Sequence, residues 1–322
     1  MRLPVTLGVI ALAVPAQARD PILSLPVDCV LGETCYVQNY MDHDPSPGAA
    51  DLTCGPQSYD GHKGTDFALV SLAQMRAGVA VRAAAPGTVR AVRDGMADVA
   101  ADSPGAPDIS GRECGNGVVV NHGGGWETQY CHLKQGSIAV RRGQRVGKAT
   151  VLGEVGLSGD TEFPHLHLGL RHDGAEIDPF LPLGIVQCGV PPPPGLWEDG
   201  LAYQPGGLIA AGIASGVPDF AAVLDDASSP DSLPGDTPAL VVWGTAHGTR
   251  AGDRIRLTLR SPDGLILDRT EELTRSRARV YRAAGRKAPG TWPAGLYQAE
   301  VLLLRDGETL DRKQVAFRID PP

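Results

Sequence analysis

Residues 164–170 have the sequence PHLHLGL, in which apolar leucines alternate with other residues. Successive side chains of a β-strand point to opposite faces, so a strand here places His165, His167 and Gly169 on one face. The three leucines then share the other face, which can pack into a core. One imidazole can bind a metal while its neighbour assists a reaction. A His-x-His pattern alone is only moderately specific, because paired surface or packed histidines are comparably common.

A second polar cluster is the segment 62–66, HKGTD. Four-residue spacing is compatible with His62 and Asp66 on one face of a helix, but Gly64 disfavours a helix. We instead predict a bend that enters a strand at Asp66, which brings imidazole and carboxylate together. The alternative is an aspartate that only orients the histidine. A third candidate is His132, which follows a predicted strand; alone, a histidine there is usually structural.

Together these residue types suit zinc. Zinc accepts neutral imidazole and carboxylate ligands at about 2.0–2.2 Å, and a catalytic site has three protein ligands and one open position. Two histidines and one aspartate leave a net positive centre that can acidify a bound water and polarise a carbonyl. Other hydrolase patterns are missing from the sequence: there is no His-Glu-x-x-His, and residues 156–160, GLSGD, lack the final glycine of a nucleophile elbow.

The first part of the chain is predicted to be mainly β. Its short segments are separated by glycine or proline, and a glycine turn at 123–125 predicts a hairpin. The predicted strands are residues 79–81, 88–92, 117–121 and 128–130. Residues 67–75 are ambiguous between helix and strand. Residues 96–111, rich in Ala, Asp, Pro, Ser and Gly, are predicted to form a long surface loop.

A run of four prolines, 191–194, predicts a stiff extended spacer and a domain boundary. Every histidine motif precedes it, and the isolated His247 beyond it is interpreted as a surface histidine. Further predicted strands are residues 240–243, 254–259, 265–267, 296–303 and 314–319. Polar and apolar residues alternate in 254–259, as in a sheet with one solvated face. A small Ig-like β-sandwich is the simplest architecture for this part.

The N-terminal residues have the pattern of a secretory signal. Arg2 is followed by an apolar run, 3–14, and by Ala16-Gln17-Ala18, a small-x-small cleavage site. The alternative is a buried N-terminal strand. The run is too short to span a bilayer, and no later stretch approaches about twenty apolar residues. We therefore predict an exported protein, periplasmic or secreted, without a transmembrane segment, whose mature chain starts near Arg19.

The resulting division of the chain is a signal peptide, 1–18; a peptidase-like domain, 19–190, with its core at 61–170; a proline-rich linker, 191–196; and an accessory β-sandwich, 197–322. The formal net charge is −8 and no basic cluster stands out. Nucleic-acid binding requires a concentrated positive surface, so no nucleic-acid partner is expected.

Six cysteines remain after the predicted cleavage. In an exported chain an even number suggests disulfides, although fifteen full pairings are possible. By proximity we expect Cys29 with Cys35, and Cys114 with Cys131 across one hairpin, which leaves Cys54 with Cys188. A thiolate zinc site is the competing interpretation, but no Cys-x-x-Cys pair supports it.

The order of the motifs resembles a known family. The series His62-x-Gly64-x-Asp66, then the segment 130–133, YCHL, then His165-x-His167 is similar to the lysostaphin/LytM-type peptidases of family M23. Residues 84–89, 143–148 and 153–156 resemble further segments of that family. The resemblance covers residues 61–170, and three motifs in the same order make it highly specific.

The resemblance implies a largely antiparallel LytM-type β-sheet. It implies one zinc ion per chain held by His62, Asp66 and His167, with His132 and His165 as an unligated catalytic pair. The implied reaction is attack of zinc-bound water on peptide bonds of peptidoglycan cross-links. One free histidine would accept the proton, and the other, with zinc, would stabilise the oxyanion; the sequence leaves open which does which.

Two departures from the family pattern bear on function. Cys131 stands where the family usually has a small residue, which fits a bridge to Cys114. The loop 96–111 could narrow or cover the groove. One alternative is therefore a non-catalytic or latent LytM-scaffold protein that binds peptidoglycan or regulates other wall hydrolases. Another is a zinc peptidase acting on a different exported protein, with the C-terminal domain recognising an envelope protein partner.

Overall fold

The computed structural model describes residues 20–190 and 192–321, and the predicted signal peptide lies outside these residues. The chain is mainly β with antiparallel sheets, as predicted. Up to residue 176 its elements are β1 Cys35–Asn39, β2 Thr65–Leu69, α1 Leu72–Ala77, β3 Ala80–Arg82, β4 Gly87–Arg93, β5 Asn116–Gly123, β6 Trp126–Leu133, β7 Arg145–Val146, β8 Val151–Glu154, β9 His165–His172 and β10 Ala175–Glu176.

One antiparallel sheet forms the centre of this part. Its strand order is β1-β2-β9-β6-β5-β4-β7, with β10 paired to the free end of β9, while β3 and β8 form a separate pair. The register places Asn39, Asp66, His167 and Cys131 side by side on four neighbouring strands. Residues distant in the sequence therefore meet in one row across the sheet.

The alternating pattern of β9 is confirmed. Leu166, Leu168 and Leu170 are fully buried in the core beneath the sheet. The ambiguous segment 67–75 divides into two elements, because β2 ends at Leu69 and the side chain of Ser71 then caps α1 by accepting a hydrogen bond from the Gln74 backbone N–H.

The other predicted strands of this part overlap β3, β4, β5 and β6. The predicted hairpin joins β5 to β6. Its three glycines, Gly123, Gly124 and Gly125, all have positive φ, a conformation that favours glycine and explains the turn. The three predicted disulfides are also confirmed: Cys29–Cys35, Cys54–Cys188 and Cys114–Cys131.

The predicted loop 96–111 contains no helix or strand. Its Asp98 carboxylate accepts hydrogen bonds from the backbone N–H groups of Gln135 and Leu157, at 2.9 and 2.7 Å. The Ala101 N–H donates to the Thr161 carbonyl at 2.8 Å. The loop is therefore attached to the segment that leads into β9.

The C-terminal part of the chain has its own core. Its elements are β11 Gly207–Ala214, α2 Phe220–Asp225, β12 Ser232–Pro234, β13 Ala239–Thr249, β14 Arg254–Ser261, β15 Gly264–Glu272, β16 Arg277–Lys287, β17 Gly295–Arg305 and β18 Glu308–Asp320. One sheet has the order β11-β13-β16 and the other β12-β18-β17-β14-β15. Both contribute to one apolar core, so we call residues 207–320 the C-terminal sandwich. Whether it is Ig-like stays a prediction.

Two observations refine the sequence interpretation. His247, expected at the surface, is only 3% exposed, so that prediction is wrong. It lies on β13, whose residues are almost all buried between neighbouring layers. Trp197, just beyond the proline run, packs in the first core rather than in the C-terminal sandwich. The domain division at the proline run stays a prediction. In the described part of the chain, no helix has the length and apolar character to cross a membrane.

Candidate metal and catalytic site

Sheet register and one bend bring the first three site residues together. Asp66 on β2 and His167 on β9 are cross-strand partners, and His62 lies in the bend that enters β2. His62 Nε2 lies 3.1 Å from Asp66 Oδ1 and 3.1 Å from His167 Nδ1, and the last two atoms are 2.9 Å apart. The predicted bend followed by a strand at Asp66 is thus confirmed.

This donor set can hold a metal ion. The Nδ1–H of His62 donates to the Tyr40 carbonyl at 2.6 Å, which leaves the lone pair of Nε2 directed at Asp66. Three lone-pair atoms about 3 Å apart repel one another unless a proton or a cation lies between them. A triangle of that size has a point about 2.0–2.1 Å from every corner, the bond length of zinc to imidazole or carboxylate. The residues present therefore fit zinc.

The carboxylate at the centre is deeply buried. Burial opposes ionisation of Asp66, but the nearby His62, His165 and His167 hold the pKa of its carboxyl well below its usual range. Its second oxygen, Oδ2, accepts a hydrogen bond of 2.9 Å from the Asn39 side-chain amide on β1. The sheet therefore holds an ionised carboxylate in one orientation, as a metal ligand requires.

His165 lies beside this group, two residues before His167 on β9. Its Nε2 is 3.6 Å from Asp66 Oδ1. On the other side of the ring, Nδ1–H points at the Phe163 carbonyl, 2.9 Å away, and at Thr161 Oγ1, 3.0 Å away. Burial lowers the pKa of this imidazole even though Asp66 acts in the opposite direction. The backbone contact fixes the tautomer and leaves Nε2 free.

His132 reaches the same place from β6. Its backbone has a positive φ of 62°, held by hydrogen bonds from its N–H to the Cys114 carbonyl and from the Gly156 N–H to its own carbonyl. Its Nδ1–H donates to the Ser158 carbonyl at 2.8 Å. The ring centroid lies 4.6 Å from that of His165 and 6.1 Å from that of His167. Burial, and then the two neighbouring imidazoles, lower its pKa well below the usual value.

The structure thus gathers all five predicted site residues around one point. Two of them, His132 and His167, line a groove of about 240 Å³. Its lining comprises Tyr59, Lys63, Glu113, Cys114, Gln129, Cys131, His132, Asp160, His167, Gly169, Arg171 and Glu176. This lining includes none of residues 96–111. A larger cavity of about 560 Å³ is lined by residues 250–254, 272 and 305–307, none of which is a predicted site residue.

Several contributing residues were not identified from the sequence. The ring of Tyr59 packs on that of His62, with centroids 4.5 Å apart. Tyr59 lies three residues before His62 in the sequence, and this closeness to the motif could have identified it. The side-chain amide of Asn39 contacts Asp66. The backbone carbonyls of Ser158 and Phe163 accept hydrogen bonds from two of the site histidines. No local pattern marks such contacts, because they depend on which segments the fold brings together.

Comparison with known proteins agrees with this geometry. Residues 60–179 match the sequence profile of Peptidase family M23. The chain contains an M23 domain. This range includes all five site residues, and the resemblance drawn from the three motifs is therefore confirmed.

Individual relatives match only in part. A segment of 58 residues is 40% identical to the cell division protein DipM of Caulobacter vibrioides, covering 18% of this chain and 9% of that protein. Among solved structures, the M23 protein EnpA of Enterococcus faecalis has a TM-score of 0.30 and 23% identity, covering 43% of this chain and 94% of that one. The catalytic domain of lysostaphin from Staphylococcus simulans has a TM-score of 0.28 and 20% identity, covering 44% and 89%.

The three disulfides bear on the compartment. Disulfides persist in oxidising environments and are rare in the cytosol, so three of them in one chain indicate an extracytoplasmic protein. The predicted route of export, through a signal peptide, stays a prediction.

Proposed function

We propose that this protein is an exported zinc endopeptidase that hydrolyses peptide bonds of peptidoglycan cross-links. One observation carries the proposal: three lone-pair atoms of His62, Asp66 and His167 converge within 3.1 Å, with two further histidines beside them and a groove that His132 and His167 line. Membership of a peptidase family supports hydrolysis, and the family resemblance supports the wall substrate.

Each of these three residues would be a ligand of one Zn²⁺ ion. When bound, the ion would supply a Lewis acid that acidifies water and polarises the scissile carbonyl. The chain itself prepares the ligands: Tyr40 fixes the tautomer of His62, and Asn39 orients Asp66. Such contacts hold metal ligands in place before binding.

His132 and His165 would move protons. In each ring Nδ1–H is committed to a backbone carbonyl, so the neutral ring presents Nε2 as a proton acceptor. One ring can take the proton of the attacking water as general base. The same nitrogen, once protonated, donates a hydrogen bond and can stabilise the oxyanion or protonate the leaving amine. Both rings have the same tautomer, so the division of these roles between them stays open.

The groove supports a peptide substrate. It extends from Tyr59 and Asp160 past the histidines to Arg171 and Glu176, and it presents both acidic and basic side chains. An extended peptide with charged substituents can lie along such a surface. The predicted envelope protein partner of the C-terminal domain remains a separate prediction.

Zinc content and release of muropeptides from purified sacculi test the proposal. We expect His62→Ala and Asp66→Ala to lose both zinc and release, because each removes a ligand. His132→Ala and His165→Ala should retain zinc while release falls about 10²–10⁴-fold, the usual effect of losing a general acid or base.

The matched control is His172→Ala, on the same strand as His165 but bonded to Gly124 and stacked on Trp126 instead. It should leave both zinc content and release unchanged. Full release by Asp66→Ala would overturn the ligand assignment. Zinc binding by the unaltered protein without any muropeptide release would favour the latent or regulatory alternative.

A further inference from the structure

The C-terminal sandwich contacts the segment that leads into the site. Arg279 on β16 places its guanidinium carbon 3.6 Å from the centroid of the Phe163 ring, a cation–π contact. The same guanidinium donates a hydrogen bond to the hydroxyl of Tyr36 on β1. Phe163 is buried and Arg279 is half-buried, so the contact is partly shielded from solvent.

Phe163 connects this contact to the site through its backbone. Its carbonyl accepts the Nδ1–H of His165 at 2.9 Å and the hydroxyl of Thr161 at 2.8 Å. The position of this carbonyl sets the tautomer and tilt of the His165 ring. Arg279 packs on the ring of the same residue, and so it restrains the carbonyl that orients His165.

A second contact lies in the row of the sheet that contains His165. Tyr36 is the cross-strand partner of Ala68, and Ala68 is the partner of His165. Ile209 of the C-terminal sandwich packs with Tyr36 and Ala68 in a small buried cluster. The two parts of the chain are thus in contact at Ile209 as well as at Arg279, and both contacts lie close to the strand that carries His165.

We propose that the C-terminal sandwich positions His165, with Arg279 acting through Phe163 as the positioning residue. Arg279 does not line the groove, and its effect on the reaction passes through the His165 ring. This inference rests on the proposed function for its kinetic consequence, while its structural consequence can be measured separately.

The structural test uses NMR of the full-length protein labelled with ¹⁵N at histidine. The Nδ1–H resonance of His165, assigned by its loss in His165→Ala, should be protected from exchange with water. In Arg279→Ala we expect it to shift and to exchange at least tenfold faster. Phe163→Leu, which keeps the carbonyl but removes the aromatic face, should behave in the same way. Arg279→Lys, which keeps a cation over the ring, should restore part of the protection.

The matched control is Arg76→Ala. Arg76 also joins the two parts of the chain, through an exposed ion pair with Asp225 at 2.7 Å, but Arg76 makes no such contact with Phe163. It should leave the His165 resonance unchanged. An unchanged resonance in both Arg279→Ala and Phe163→Leu would overturn the inference, whether or not the protein releases muropeptides.

The kinetic test measures muropeptide release from sacculi with zinc-loaded protein. A ring displaced by about 1 Å can cost on the order of 10²-fold in rate, so Arg279→Ala should lower kcat by about 10–100-fold. The half-saturating sacculus concentration and zinc content should not change, since Arg279 contacts neither groove nor ligands. Wild-type kcat in Arg279→Ala would contradict positioning, whereas inactivity of the unaltered protein would refute the proposed function instead.

Discussion

Gly64 offers the sharpest test of how the chain fixes its metal ligands. It lies between His62 and Asp66, and a β-carbon there would meet the neighbouring strand β9. The β-carbon would lie 2.5 Å from the Leu168 carbonyl oxygen and 2.8 Å from Cε1 and Nε2 of His167. Ordinary van der Waals contact begins at 3.4 Å. Gly64→Ala should therefore force either the backbone or the His167 ring to move.

The bend at residue 64 and the His167 ring are the parts that can move. The Leu168 backbone is held in the sheet by its pairing with Thr65 on one side and Tyr130 on the other. To restore ordinary contact the His167 ring must shift by about 0.6 Å, which changes the position of Nδ1 relative to His62 and Asp66. The approach to the Leu168 carbonyl must be relieved separately, by movement of the bend that carries residue 64. A displacement approaching 1 Å costs on the order of 10²-fold in rate. We expect the zinc affinity of Gly64→Ala to fall about 10–100-fold, the usual effect of removing a residue that holds a metal ligand in its orientation.

The assay is competition for zinc against a chromophoric chelator, followed by muropeptide release at saturating zinc. Gly169→Ala is the matched control, because Gly169 also faces the groove but its β-carbon would meet no atom closer than 3.9 Å. That variant should bind zinc as the unaltered protein does. Thermal unfolding of both variants establishes that each is folded.

Wild-type zinc affinity and release in Gly64→Ala would refute the reasoning. It would mean that His167 tolerates displacement, and hence that the donor triangle is not a rigid metal site. Equal losses in Gly64→Ala and Gly169→Ala would also count against it, because an added β-carbon clashes with other atoms at Gly64 but not at Gly169.

Two further predictions follow from contacts around the site and at the C-terminal sandwich. Asn39→Ala removes the amide that orients Asp66, so zinc affinity in the chelator assay should fall about 10–100-fold, and an unchanged value would contradict that role. Burial, followed by the nearby cations Arg279, Arg305 and Lys313, lowers the pKa of His247 to about 3. Because the unfolded chain binds this proton more readily, stability is full above about pH 6.5 and is lost as pH falls towards 3. Urea unfolding measures this as the decrease in the free energy of unfolding between pH 7.5 and pH 5. The decrease should be about 2 kcal/mol larger in the unaltered protein than in His247→Phe, and equal decreases in the two proteins would contradict this.

The sequence was sufficient to single out the candidate site residues, because each of the three motifs is a short local pattern and their order resembles the M23 family. Alternation in 164–170 determines which side chains of β9 share a face, and the burial of its leucines confirms it. Gly64 makes a bend the best interpretation of 62–66, as observed. The disulfide between Cys114 and Cys131 could be inferred because the two cysteines flank a hairpin that glycine turns predict.

The supporting contacts could not be inferred in the same way. Asn39 meets Asp66 only because β1 pairs with β2, a non-local register that local alternation does not encode. Strand β16, which carries Arg279, has only Val280 buried among its eleven residues, and it was not predicted as a strand. His247 was misassigned for a related reason: the ring of Tyr36, 4.4 Å away, covers it from the other part of the chain.

The two proposed functions of the site, metal binding and proton transfer, have separate structural supports. The donor triangle depends on the register of β2 and β9 and on the bend at His62. The free rings of His132 and His165 depend instead on two carbonyls, of Ser158 and Phe163, in the single segment between β8 and β9.

The inserted loop 96–111 attaches to that same segment. Asp98 accepts a hydrogen bond from Leu157, and Ala101 donates one to Thr161. These contacts, and the absence of residues 96–111 from the groove lining, favour bracing of this segment by the loop over the cover that the sequence suggested. Because it braces the segment that orients both free histidines, shortening it should lower the rate of hydrolysis while leaving zinc bound. A loop that merely covered the groove would, when shortened, raise that rate.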